Sequence, residues 1–126
     1  MKIFRGLLFL IFASTPLFSS AEVMHYSLCT LTGDATLQDV QGWVEDWREV
    51  RDKAGITYEV RLLVGHAAPG EEMPPNFYIE GSTPNLATYG EAWTWWYSDD
   101  AGAVASNQQI FGMAQCGNQG VFTTTE

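Results

Sequence analysis

The sequence predicts an α+β fold of the split-βαβ, ferredoxin-like kind: a four-stranded antiparallel sheet with two helices on one face. Three observations predict it. Val23 to Leu31 and Ile56 to Val64 alternate apolar and polar residues with the period of a strand. Thr36 to Ala54 and Thr83 to Asp100 place apolar residues at helical spacing, and the second of these carries three of the five Trp and two of the five Tyr. The order along the chain is strand, helix, strand, strand, helix, strand. That order sets the first and last strands side by side and antiparallel, with both helices covering one face.

The chain has 126 residues, enough for one domain. Its start is of a different character. Lys2 and Arg5 precede the apolar run Gly6 to Phe18, which Pro16 interrupts, and Ser19-Ser20-Ala21 supplies small residues for cleavage after Ala21. Residues 1–21 therefore read as a secretory signal peptide, and residues 22–126 as a single domain in the periplasm or medium. Without Lys2 and Arg5 the formal charge of −9 becomes −11, and Arg48, Arg51, Lys53 and Arg61 are the cations left. Such a surface repels phosphate backbones and anionic lipid heads, so neither nucleic acid nor, after signal cleavage, a membrane is expected as a partner.

The first strand, Val23 to Leu31, puts Met24, Tyr26 and Leu28 on one face and His25, Ser27 and Cys29 on the other. Gly33-Asp34 ends it. In the first helix Thr36 is the N-cap, with Asp39 in the place of the usual capping-box Glu, and Gly55 is the terminating residue. Ile56, Tyr58, Val60, Leu62 and Val64 form the core face of the second strand. A proline-rich loop, His66 to Asn76, leads to a short third strand at Phe77 to Glu80 that Gly81 closes. The second helix opens at Thr83 as cap and Pro84 at its first position. Asp99-Asp100 breaks it, a shorter helical segment resumes at Ala101, and a last strand ends near Thr123.

Two cysteines in an exported chain favour a disulfide. A bridge between Cys29 and Cys116 needs their Cα atoms within about 7 Å. That requirement sets the register: Cys29 faces Cys116, Leu31 faces Ala114, and the last strand begins near residue 113, with Ile110 to Gly112 ending the helical segment. In this reading the helix-free face carries His25, Ser27, the cysteine pair, Glu59, Arg61, Tyr78, Glu80 and Asn118.

The segments Tyr26 to Trp47, Tyr58 to Gly65, Phe77 to Trp93 and Gln115 to Gly120 resemble the dimeric α/β-barrel superfamily, and more closely small exported proteins of that superfamily from marine bacteria. The resemblance implies a homodimer whose uncovered sheet faces pack together. It brings no superfamily-wide catalytic residue with it, because fold does not set chemistry.

Candidate ligand-binding residues are His25, Ser27, Arg61, Tyr78, Trp95 and Asn118. Trp93 and Trp96 lie on the apolar stripe of the second helix and read as core, whereas Trp95 points elsewhere. His25 and His66 fall at opposite ends of parallel strands and cannot share an ion within one protomer, and no Cys/His cluster has zinc spacing. No metal or cofactor is called for. Glu59 and Arg61 share a strand face and read as an ion pair. The expected function is that of a homodimeric small domain binding a small apolar molecule, or serving as an interaction module. Two alternatives are a cofactor-independent monooxygenase or isomerase using Tyr26, His25, Trp93 or Asn118, and a carbohydrate-binding module resting on Trp95.

Overall fold

The computed structural model describes residues 21–66 and 76–125, the side chains of residues 118 and 119 excepted. The expected signal peptide, most of the proline-rich loop and the Asn118 side chain lie outside the described residues. Element order is β1 (Val23–Leu31), α1 (Leu37–Ala54), β2 (Glu59–Val64), β3 (Asn76–Thr83), α2 (Leu86–Trp96), α3 (Ala101–Met113) and β4 (Ala114–Thr123). The four strands form one antiparallel sheet in the order β2-β3-β1-β4, which is the ferredoxin-like arrangement. Among the described residues no helix is long and apolar enough to cross a membrane.

Local chemistry sets the ends of α1. The Thr36 hydroxyl accepts from the Asp39 N–H, and the Asp39 carboxylate accepts from the Thr36 N–H at 2.7 Å, a reciprocal capping box. Gly55 closes the helix at φ 68°, a left-handed conformation that costs glycine little. Val40, Trp43, Val44 and Trp47 form its buried stripe.

The second helical stretch breaks before Ala101 as expected, and the resumed segment, α3, is the longer of the two helices. The α2 helix ends at Trp96, and Asp100 caps α3, its Oδ1 accepting from the N–H groups of Gly102 and Ala103, both at 3.0 Å. The α3 helix packs beside α1, tied by Trp43 Nε1 donating to Ser106 Oγ at 3.0 Å and Gln109 Nε2 donating to Asp46 at 3.0 Å. The N-cap of α2 is Asn85, not Thr83. Thr83 instead pairs with Val23 as the last residue of β3, and its hydroxyl donates to Thr57 O at 3.1 Å. Pairing with the start of β1 thus extends β3 past Gly81, and the cap role moves two residues on.

Cys29 and Cys116 are bonded, with Cα atoms 4.1 Å apart, and Leu31 faces Ala114, as the cysteine pairing requires. The two faces of β1 are the reverse of the expectation. Val23, His25, Ser27 and Cys29 are buried beneath the helices, opposite Thr83, Gly81, Ile79 and Phe77. Tyr26 and Leu28 share the helix-free face with Arg61, Leu63, Tyr78 and Glu80. The cause is that both faces are partly apolar, so bulk alone does not tell which one meets the helices.

Candidate functional site

Between the sheet and the three helices lies a cavity of about 230 Å³. Its floor is the covered face of the sheet: His25 and Ser27 of β1, Val60 of β2, Ile79 of β3 and Cys116 of β4. Its roof is aromatic, with Trp43 and Trp47 from α1 and Trp93, Trp95 and Trp96 from α2. Two exposed rings, Tyr97 at the end of α2 and Phe111 in α3, stand at its rim.

His25 is the polar centre of this space and is 5 % exposed. Its Nδ1 lies 3.1 Å from the Tyr58 hydroxyl. The imidazole meets the edge of Trp93 at 5.0 Å between centroids and 85° between planes. Tyr58 stands at the end of a run of ring contacts, Tyr58 to Tyr89 to Trp93 to Tyr97, at 6.3, 5.8 and 5.3 Å. Burial, and to a lesser degree the neighbouring Tyr89, pushes the Tyr58 phenol well above its ordinary pKa. The phenol therefore keeps its proton across the neutral range. It donates to Nδ1 when the imidazole carries its own proton on Nε2.

Gly81 makes this placement of Tyr58 feasible. It sits opposite His25 on β3, and a Cβ there would overlap the Tyr58 hydroxyl and ring. The pair His25–Tyr58 sets a hydrogen-bonded imidazole and phenol at the cavity wall. Ser27 lies two residues along β1 on the same face, at the register position of Asn118.

The six sequence-derived candidates do not form one site. His25, Ser27 and Trp95 line the cavity, whereas Arg61 and Tyr78 lie on the opposite face of the sheet. Arg61 pairs with Glu80, its Nε donating at 2.8 Å, and not with Glu59. Glu59 instead receives Arg48 and Arg51 from α1. Of the residues named for the enzyme alternative, Trp93 joins His25 in the cavity, but Tyr26 is on the far face against Phe122 at 5.7 Å. Its phenol is also pushed upward, first by its hydrogen bond to Glu80. Trp95 packs against the core cluster, which leaves it a poor platform for a sugar ring. His66 is exposed beyond the end of β2, at the opposite end of the sheet from His25.

Sequence reasoning missed Tyr58 as a site residue. Its one signal was a hydroxyl on the core face of a strand, and such a group needs a partner when buried. Among the described residues no group of three or more His, Cys, Asp or Glu side chains could hold a metal ion.

No protein-family model matches the sequence, and neither does any curated protein. Solved structures do match it. A dimeric ferredoxin-like protein of unknown function from Thermobifida fusca superposes with a TM-score of 0.54 at 11 % identity, covering 87 % of this chain and 97 % of that one. The hydroxynitrile lyase of Passiflora edulis superposes with a TM-score of 0.57, also at 11 % identity, covering 83 % of this chain and 94 % of the lyase. Identities this low speak for fold alone. With the strand order and helix placement above, they establish the chain as an α+β protein of the ferredoxin-like fold.

Proposed function

We propose that the chain is an exported homodimer whose cavity between helices and sheet binds a small, mostly apolar molecule. The observation that carries this reading is the aromatic-walled cavity of about 230 Å³ with the His25–Tyr58 pair in its wall. An engineered apolar cavity of about 150 Å³ holds benzene, so a one-ring molecule with a short side arm fits this volume. Calorimetric titration of the purified chain with ethylbenzene and acetophenone tests it. Binding of at least one is expected, and binding of neither overturns the reading.

The dimer is supported by the helix-free face. Leu63, Tyr78 and Phe122 are each more than one-third exposed there, around the Arg61–Glu80 ion pair. Such a face suits burial against a second copy better than water. The Thermobifida neighbour is itself described as dimeric. Light scattering should return a dimer mass, and Tyr78→Asp should shift it toward the monomer. A clean monomer of the unsubstituted chain at micromolar concentration removes this part. Export rests on the charged, apolar and small-residue order of residues 1–21, and the Cys29–Cys116 bond is compatible with it.

A second reading is a cofactor-independent enzyme that moves a proton on its ligand. The buried His25–Tyr58 hydrogen bond at the cavity wall favours it. The Passiflora lyase shows a named enzyme on the same fold. Exchange of the acetophenone methyl protons for deuterium, followed by NMR, separates the two readings. A rate no faster than buffer rules against the enzyme.

A further inference from the structure

We infer that the ligand of the cavity is a neutral molecule bearing a hydrogen-bond acceptor, such as a ketone, ester or lactone, and not a hydrocarbon, an amine or a carboxylate; this rests on the reading of the cavity as a binding site. The first ground is charge. No Asp, Glu, Lys or Arg is among the described residues that line the cavity. A cation would meet no carboxylate there, and an anion could be met only if the buried His25 gained a proton, so either leaves water at a cost of several kcal/mol.

The second ground is an excess of donors. An indole N–H can only donate. Trp43 is satisfied, its Nε1 reaching both the carbonyl and the hydroxyl of Ser106. The Nε1 atoms of Trp93 and Trp95 are buried and find no acceptor among the described residues. Both side chains line the cavity. Leaving a buried donor unmade costs roughly 1–3 kcal/mol. A ligand oxygen in the cavity would relieve that cost, and a hydrocarbon of the same shape would not. Because both nitrogens are covered by neighbouring atoms, an indole ring must turn as the ligand enters; such side-chain adjustment is common on binding.

Acetophenone and ethylbenzene share ring and carbon count and differ at the carbonyl, so their affinity ratio reads the donors. Acetophenone should bind about tenfold more tightly. Trp93→Phe and Trp95→Phe keep a ring and remove the N–H. At least one of them should bring the ratio of acetophenone to ethylbenzene affinity close to one, whatever the smaller ring does to ethylbenzene binding itself. Benzoate and benzylamine should bind more weakly than acetophenone. Equal affinity for acetophenone and ethylbenzene, or tighter binding of either charged probe, overturns the inference and leaves the cavity reading intact. Binding of no probe overturns both. If one variant fails to fold, the probe ratios in the unsubstituted chain and the other variant still decide.

Discussion

The Tyr58 ring lies against the backbone of Gly81, in the space a Cβ would need, and this contact sets the hydroxyl beside His25. Gly81→Ala should push the phenol away and disrupt the cavity wall. A loss of about 1–3 kcal/mol is expected from the overpacking, together with at least a tenfold loss of acetophenone affinity. Gly42→Ala in the interior of α1 makes the contrast, because a Cβ there meets nothing within 4 Å. It should stabilise by roughly 0.5–1 kcal/mol and leave binding unchanged. Urea melts of the two variants check the opposite signs.

Reduction of the Cys29–Cys116 bond should destabilise the fold strongly. The bond spans 87 positions of sequence. Freeing a loop of that length removes about 4–5 kcal/mol in the chain-entropy account, which is an upper figure. Denaturant midpoints with and without a phosphine reductant measure it. A difference below about 1 kcal/mol would show that β4 is held by pairing and packing alone.

Tyr58 should make the fold sensitive to alkali. Its folded pKa is raised by burial, while an unfolded tyrosine ionises near 10. The unfolded chain thus loses the proton first. Stability from this group is complete below about pH 10 and is lost as pH rises from there toward the folded pKa. Melting temperature should fall in that window, and Tyr58→Phe should fall less steeply. Equal slopes in the two proteins would contradict the assignment.

Glu59 acts at the acid end. Burial raises its pKa, but hydrogen bonds from Arg51 and Arg48 outweigh this and hold the carboxyl below the usual range. Its contribution is present above the unfolded pKa of about 4.3 and is lost as pH falls through the folded one. Because the carboxylate is nearly half exposed, the effect should be under about 1 kcal/mol. Glu59→Gln should flatten the acid limb of the stability curve by that amount, as urea melts at pH 3 and pH 6 would show.

Much of the fold was legible because its determinants are local. Thr36 and Asp39 cap α1 whatever surrounds them, and Gly55 ends it. The register of β1 on β4 was also readable, since a covalent bond between Cys29 and Cys116 admits one alignment. The facing of β1 was not. Tyr26 and Leu28 are larger than Ser27 and Cys29, yet it is the smaller residues that leave room for the Trp side chains of α1 and α2. The site was half legible for the same reason. His25, Ser27 and Trp95 come together only because β1 turns that face to the helices. Tyr58 joins them from a position 33 residues away. Arg61 found Glu80 on the neighbouring strand, a choice that depends on cross-strand register and not on spacing along β2.

The two arginines of α1 do more than neutralise Glu59. Arg48 donates to the carbonyl of Val60 at 3.2 Å in β2, an outer strand of the sheet, and Arg51 to that of Tyr58 at 2.9 Å, the residue that leads into it. A foreign strand approaching this border would find backbone acceptors already engaged and positive charge in its path. Growth of the sheet into a ribbon is therefore disfavoured at β2. Replacing both arginines should expose a template for fibrous aggregation before it unfolds the domain.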